Sequence, residues 1–219
     1  MRKVRAATFI SLDGVMQAPG GPEEDPSGGF AFGGWVAPFW DDTVGELMGE
    51  AMGEDYDLLL GRRTYEIFAA FWPFQDDEMG RKFNAIEKYV VASPDTPMTW
   101  AGSHRLHGEA AQAVGALKRT EGRDLLIQGS SEVIHALLAA DLIDALTVLT
   151  FPLVLGRGKR LFDEGSRPHA WTMTKTHHSA TGVVISRYER GGDVPTGSFG
   201  PDDPSALETA RRERWLREY

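Results

Sequence analysis

Short apolar segments that alternate with helix-like segments restrict the fold of this chain more than any other feature. The apolar segments are long enough for buried strands and lie at residues 4–10, 58–60, 89–92 and 125–127. Between the first two, apolar residues recur with helical spacing at positions 44, 47, 48 and 51. This alternation predicts a three-layer α/β fold, with a mixed, mostly parallel sheet and helices on both of its faces.

The C-terminal part of the chain departs from this alternation. A longer strand is predicted over residues 142–151, and an antiparallel hairpin over 171–177 and 183–188. Residues 191–204 are rich in Gly, Pro and Asp and are expected to form a linker, followed by a charged helix over 208–218. The sequence therefore predicts one domain at residues 1–190 and a separate tail at 191–219.

Composition excludes several classes of protein. The 219 residues carry a formal net charge of −9, which argues against a nucleic-acid-binding face. The chain contains no cysteine, so disulfide scaffolds and thiolate chemistry are excluded. The histidines are scattered, and no metal site is expected. We found no membrane-spanning segment or secretory signal in the sequence, so a cytoplasmic protein is expected.

Three predicted strands each end where a helix or turn begins. The sequences at these ends are Gly61-Arg62-Arg63-Thr64, Ala92-Ser93 and Gly129-Ser130-Ser131. Ligands of parallel sheets bind where the carboxyl ends of the strands meet helix N-termini, and free backbone amides there attract anions. The first arginines after a stretch of 56 residues without Lys or Arg, residues 6–61, stand at one of these ends. The combination favours a ligand with more than one phosphate.

Each of these features also has an ordinary structural explanation. Gly129-Ser130-Ser131 is compatible with a simple helix cap, and Arg62 and Arg63 with solvent-exposed cations. The phosphate-binding sequences of Walker-type NTPases and of Rossmann dinucleotide sites are absent from the chain. The sequence alone thus leaves both a nucleotide site and plain structural roles open.

Four sequence strings, in their order along the chain, resemble the dihydrofolate-reductase-like superfamily. They are Ser11-Leu12-Asp13-Gly14, Leu60-Gly61-Arg62-Arg63-Thr64-Tyr65-Glu66, Gly129-Ser130-Ser131, and Pro152 with Leu155-Gly156, Gly158 and Leu161-Phe162. The nearest branch is the reductase domain at the C-terminus of the bifunctional riboflavin-biosynthesis enzyme, in its stand-alone form. The resemblance covers about residues 2–190 and implies an NADPH-binding α/β fold.

The resemblance also implies roles for individual residues. Arg62 and Arg63 would bind the 2′-phosphate end of NADPH, together with Gly61, and Thr64 would open the helix that meets the pyrophosphate. Ser93 would contact the adenosine phosphate. Gly129, Ser130 and Ser131 match the glycine-rich pyrophosphate turn, although the family usually has a second glycine where this chain has Ser130. A serine there requires a negative φ or some strain.

Candidate residues on the substrate side are acids and aromatics. Asp41 extends the apolar stripe of the first predicted helix and is the first candidate for a carboxylate that assists hydride transfer, with Asp42 as the alternate. Asp41 is equally compatible with a helix cap, and Asp13 with a turn residue that could border the nicotinamide. Trp35 and Trp40 lie by a glycine-rich loop at residues 17–34, where they could stack on a planar ring or pack the loop itself.

The sequence predicts an NADPH-dependent reductase of a riboflavin-pathway pyrimidine, a pteridine or another small conjugated compound. A phosphorylated substrate would need cations, and Arg157, Lys159 and Arg160 are the candidates. Two other functions stay open, namely a non-catalytic module that senses NADPH and an interaction protein that docks a partner through its terminal helix. A homodimer is implied by the resemblance alone.

Overall fold

A computed structural model describes residues 1–163, 165–200 and 202–218. Its centre is a single sheet of eight strands, which run over Val4–Ser11 (β1), Tyr56–Gly61 (β2), Lys88–Val91 (β3), Ser103–Leu106 (β4), Asp124–Ile127 (β5), Ala145–Phe151 (β6), Ala170–His178 (β7) and Val184–Gly192 (β8). The spatial order is β4-β3-β2-β5-β1-β6-β8-β7. The first six strands in this order pair in parallel, and β8 and β7 complete the sheet in antiparallel register. The expected fold class is confirmed.

Helices cover both faces of this sheet. They run over Asp42–Met52 (α1), Arg62–Phe71 (α2), Glu78–Ala85 (α3), Ala110–Lys118 (α4) and Ser131–Ala139 (α5). A further helix, Ala206–Glu218 (α6), follows the last strand and buries none of its described residues. Successive side chains of a strand point to opposite faces, so β2 supplies Leu58 and Leu60 to one core and Leu59 to the other. The first core includes buried residues of α1, α2 and α3, and the second those of α4 and α5.

Two elements were not expected from the sequence. The helix α3 buries Gly80 and Phe83 but is otherwise largely polar, so it carries too few apolar positions to reveal its period. The strand β4 has no fully buried residue, because it lies at the edge of the sheet. Contacts with the rest of the fold therefore determine where α3 and β4 form, because neither has a strong apolar pattern in its own sequence.

The C-terminal hairpin and the terminal helix agree with expectation. The strands β7 and β8 pair around residues 179–183, and α6 spans the predicted charged helix. The division into a domain at 1–190 and a tail at 191–219 stays a prediction. None of the helices that the structure describes is both long and apolar enough to cross a membrane.

Candidate functional site

The junctions β2–α2 and β5–α5 touch each other at the carboxyl edge of the sheet. The two strands are neighbours, and the Gly61 amide donates a hydrogen bond to the Gly129 carbonyl at 3.4 Å. A Cβ on Gly61 would overlap Ser130 Oγ, and one on Gly129 would lie 2.8 Å from Thr64 Oγ1. The absence of side chains at both glycines is therefore what lets the two helix starts approach so closely.

The beginnings of α2 and α5 both leave backbone donors available for a ligand. Gly61 is the N-cap of α2 and Ser130 that of α5, and in the described structure neither helix start has a side-chain capping bond. Ser130 adopts φ −85° and ψ 160°, which meets the requirement of a negative φ at this position. The amides and the positive ends of two helix dipoles thus point to one place, where an anion would be stabilised.

A cavity of about 620 Å³ opens beside these junctions. We call its junction side the polar end, formed by Arg63, Thr64, Gly129, Ser130 and Ser131. The other side is an apolar chamber, formed by Phe9, Trp40, Met48, Met52, Ile67, Phe68, Trp72, Met79 and Phe83. The helix α2 begins at the edge of the sheet, so its first residues belong to the polar end, and its later residues Ile67 and Phe68 form part of the chamber wall.

The predicted site residues divide into two groups. Six line the cavity, namely Trp40, Arg63, Thr64, Gly129, Ser130 and Ser131. Seven do not contribute to its lining, namely Asp13, Trp35, Asp41, Asp42, Gly61, Arg62 and Ser93. Ser93 follows β3, next to β2, and is exposed, with its hydroxyl 3.1 Å from that of Thr96. The third predicted junction therefore shares the edge of the sheet but not the cavity.

Both arginines already have partners, and these partners differ. Arg62 forms an ion pair with Glu66 one helical turn further on, at 2.9 Å. Arg63 donates to Ser27 Oγ at 2.9 Å and lies 3.6 Å from the Asp25 carboxylate. Each arginine side chain is 45% exposed. Exposed pairs of this kind are worth about 0.2–1 kcal/mol, so a phosphate can displace these carboxylates at small cost.

The glycine-rich loop is anchored beside the polar end by residues that the sequence analysis did not assign to this role. Asp25 accepts from Lys159 Nζ at 2.5 Å, and both residues line the cavity. The Gln17 amide donates to two loop carbonyls, those of Asp25 and Ser27, and accepts from the Lys159 amide. No local sequence pattern joins Lys159 to a loop more than 130 residues earlier, and the parallel arrangement of β1 and β6 creates this contact.

Asp13 organises the turn that follows β1. Its carboxylate accepts from the Ser11 hydroxyl and from the amides of Leu155 and Gly156. Desolvation raises the pKa of this carboxyl, but the hydrogen bonds outweigh it and lower the pKa from 3.8 to about 2. Arg160 also donates to the Asp13 backbone. Asp13 thus ties the start of the chain to the loop after β6.

The two candidate acids lie at the start of α1. Asp41 is the N-cap, and its Oδ1 accepts from the Val44 amide at 2.8 Å. Its second oxygen lies 3.5 Å from Thr181 Oγ1. Asp42 is exposed in the first turn. The capping role left open by the sequence is therefore present for Asp41.

The two tryptophans differ in position. Trp35 is buried, donates from its indole to the Gln17 carbonyl at 2.8 Å and packs edge-on against Phe151. Trp40 is half exposed, lines the cavity and meets Phe9 edge-on with ring centroids 5.9 Å apart. Trp35 thus packs the loop, whereas Trp40 is available to a ligand.

Comparison with known proteins agrees with this architecture. Residues 2–185 match the family model of the RibD C-terminal domain. The chain is 21% identical to the protein YyaP of Bacillus subtilis (strain 168) over 200 residues, which cover 87% of this chain and 96% of the relative.

Two solved structures have the same fold at low sequence identity. A pyrimidine reductase-like protein from Corynebacterium diphtheriae aligns with a TM-score of 0.61 at 15% identity, covering 88% of this chain and 93% of that protein. Dihydrofolate reductase from Enterococcus faecalis, complexed with NADP(H), aligns with a TM-score of 0.57 at 17% identity, covering 86% and 96%. The expected dihydrofolate-reductase-like fold is confirmed.

Proposed function

Because the chain belongs to the RibD C-terminal domain family, we propose that it is an NADPH-dependent reductase that transfers hydride to a small conjugated C=N or C=O compound. The observation that carries this proposal is the contact between the β2–α2 and β5–α5 junctions at the mouth of the cavity. A riboflavin-pathway pyrimidine and a pteridine are the acceptors that the resemblance implies. Cytoplasmic location and a homodimer stay predictions.

The residues around the polar end fit a dinucleotide with several phosphates. The amides at the starts of α2 and α5, with Thr64, Ser130 and Ser131 beside them, would hold the pyrophosphate. Arg62 and Arg63 would hold the additional phosphate on the adenosine ribose, since guanidinium groups form paired hydrogen bonds with phosphate. Gly61 would keep the two helix starts close together, and Ser93 would meet the adenosine phosphate further along the same edge.

Hydride transfer requires mainly geometry from the protein. NADPH supplies the hydride when it is bound. Residues of the cavity orient the acceptor and exclude water, which favours reaction between groups held in contact. The prediction that Asp41 or Asp42 assists the transfer stays a prediction, as does a place for Asp13 beside the nicotinamide.

A non-catalytic module that senses NADPH is the second candidate function. It is favoured by the position of Asp41, whose carboxylate caps α1 and does not line the cavity. Such a protein would bind the cofactor through the same polar end but would not oxidise it with any acceptor. Consumption of NADPH with a panel of pterins, pyrimidines and quinones separates the two functions.

The cofactor part of the proposal is tested by titrating NADPH and NADH. We expect the wild type to bind NADPH more tightly, because NADH lacks the phosphate that the arginines would hold. Replacing Arg62 or Arg63 by Ala should cost about 2–3 kcal/mol, or roughly 30- to 150-fold in the Kd for NADPH. The Kd for NADH should change little.

Arg119 provides the matched control for these substitutions. It lies at the C-terminal end of α4, where the neighbouring Lys118 carbonyl accepts from the Arg2 amide just before β1, and it does not line the cavity. Arg119→Ala removes the same charge and should leave both affinities unchanged. Equal binding of NADPH and NADH by the wild type would contradict the proposal.

A further inference from the structure

The apolar chamber is walled by fixed aromatic and thioether side chains. Phe68 stacks on Phe83 with centroids 6.0 Å apart, and Trp72 meets Phe83 edge-on at 4.8 Å. From the other direction, α1 contributes Met48 and Met52, both nearly completely buried. Flat rings bind well between aromatic faces, and methionine adapts to irregular shapes. The chamber is therefore suited to a flat apolar molecule.

Trp40 forms a further wall and is positioned by a glycine. Gly45 lies in the first half of α1, and a Cβ there would be 3.6 Å from the Trp40 indole nitrogen. The indole thus packs against bare helix backbone and against Phe9 of β1. It presents apolar surface to the cavity on the side of α1.

Charge in the cavity is confined to the loop and the polar end. In the described part of the chain, the charged lining residues are Glu24, Asp25, Arg63 and Lys159. All four have partners, since Glu24 accepts from the amides of Gly20 and Gly21 while Asp25 pairs with Lys159 and Arg63. Burial raises the pKa of Glu24, as expected for an acid in apolar surroundings.

Two other cations near this region also have partners, Arg157 in the glycine-rich loop and Arg160 in the turns beside it. Arg157 donates to the Gly29 carbonyl, and Arg160 to the backbone of Asp13 and Gly156. Neither lines the cavity. The described residues that wall the apolar chamber are all uncharged, so an anionic group on an acceptor would enter the chamber without a cation beside it, and unpaired charge is strongly disfavoured in apolar surroundings.

We propose that the acceptor reduced in this cavity is an uncharged, flat, conjugated carbonyl compound without phosphate or carboxylate, bound in the apolar chamber with its ring between Trp40 and the Phe68–Trp72–Phe83 cluster. This inference rests on the proposed NADPH-dependent reductase. It selects the C=O class over pyrimidines with a ribosyl phosphate and over pterins, whose many amide and amine groups would lose hydration among apolar walls without gaining hydrogen-bond partners.

The reaction balances with NADPH as the reductant. One proton with two electrons leaves the nicotinamide as hydride and forms a C–H bond at the electrophilic carbon of the acceptor. The π electrons of the acceptor move to its oxygen, which takes one proton from water. The acceptor is reduced by two electrons, and NADPH is oxidised to NADP⁺.

A matched pair of enones tests the proposal in the full-length protein. Benzylideneacetone is uncharged, and its 4-carboxylate derivative differs by one anionic group. Binding to the protein loaded with NADP⁺ is followed by the fluorescence of the chamber tryptophans, and turnover by the loss of NADPH absorbance. We expect the uncharged compound to bind at least about 10-fold more tightly, because the carboxylate loses hydration without gaining a partner.

Ile67→Arg sharpens this test by placing a cation on the chamber wall. Ile67 is only half-buried on α2, so a longer side chain can be accommodated. The substitution should improve binding of the carboxylate roughly 10- to 100-fold, as expected for a charged hydrogen-bonding pair. Ile67→Met is the control of similar size and should preserve the wild-type preference.

The outcomes separate this inference from the function on which it rests. Failure of the wild type to bind NADPH would overturn the reductase itself. If NADPH binds, equal or tighter binding of the carboxylate, or no binding of the uncharged enone, would overturn the proposed substrate class. Tighter binding or faster reduction of a phosphorylated pyrimidine by the wild type would overturn it as well.

Discussion

The polar end and the apolar chamber of the cavity are built in different ways. The polar end is built around the backbone of two strand–helix junctions, where Gly61 and Gly129 have no room for a side chain. The chamber consists of side chains from β1, α1, α2 and α3 and the segments that flank α1 and α2. A backbone cradle fixes the place of one ligand, whereas a side-chain wall can be reshaped by exchange of apolar residues. The polar end is thus suited to one fixed cofactor, and the chamber to an acceptor whose identity depends on the apolar side chains of its walls.

Of the substitutions that test this difference, Gly61→Ala should have the largest effect on stability and on NADPH binding. The new Cβ would overlap Ser130 Oγ and lie 3.0 Å from both Ser130 Cβ and Val133 Cγ2. Overpacking of this kind costs about 1–3 kcal/mol, and the junction must open to relieve it. We expect a lower free energy of unfolding by denaturant and weaker NADPH binding.

Three variants control this result. Ser130→Gly in the Gly61→Ala background removes the overlapping atoms and should restore part of the stability. Gly49→Ala adds the same methyl in α1, where no atom of the described residues lies within 4 Å of it, and should be neutral or stabilising by up to about 1 kcal/mol. Met48→Leu in the chamber should cost less than about 1.5 kcal/mol. A Gly61→Ala protein as stable as the wild type would contradict the view that the polar end is tightly packed around backbone while the chamber tolerates exchange of side chains.

The polar end could be predicted from the sequence because it depends on local strings. Gly61-Arg62-Arg63-Thr64 and Gly129-Ser130-Ser131 each follow a short apolar strand, and the parallel order of strands brings the two together. The sheet and most helices are predictable for the same reason, since their periods are visible in short windows. The partners of Arg63 were not predictable, because Asp25 belongs to a loop without periodicity.

Apart from Trp40, the walls of the chamber could not be predicted, for two physical reasons. Its walls include Met79 and Phe83 of α3, a mostly polar helix with little periodic signal. Its other walls come from apolar residues of α1 and α2 that have the same spacing as ordinary core residues. Helical spacing indicates that a side chain faces inward. It does not indicate whether that side chain packs against the core or lines a cavity.

Substitutions of Asp41 test whether this acid assists hydride transfer. We expect their effect on stability to be smaller than that of Gly61→Ala. Asp41→Ala should destabilise the protein by about 1 kcal/mol, because the Val44 amide loses its partner. Asp41→Ser keeps a capping oxygen and should unfold at nearly the wild-type denaturant concentration. Turnover of NADPH by the serine variant then reports on acid chemistry alone.

The two possible outcomes for Asp41→Ser have distinct meanings. Wild-type turnover with wild-type stability would assign Asp41 to capping and end its candidacy as the assisting acid. Loss of turnover with unchanged stability would support the acid role. Asp42→Asn, in the exposed first turn of the same helix, provides the parallel test of the alternate candidate.

Asp25→Asn should have the smallest effect and acts on the boundary between the two regions. The carboxylate pairs with Lys159 and Arg63, which among the described residues are the two cations that line the cavity. An incoming phosphate must compete with it for these cations. Removing the charge should therefore tighten NADPH binding by a few-fold, as expected from partly exposed ion pairs of about 0.2–1 kcal/mol each.

The direction of this change separates competition from simple loop anchoring. Desolvation raises the pKa of Asp25, but the Lys159 and Ser27 hydrogen bonds outweigh it and keep the pKa below 3.8. The carboxylate is thus ionised throughout the neutral range, and the gain in affinity should not depend on pH there. Glu23→Gln removes an exposed acid from the same loop and should change affinity much less. Weaker NADPH binding by Asp25→Asn would mean that the loop holds the cofactor site together rather than competing for it, and the polar end would then depend on side chains as much as the chamber does.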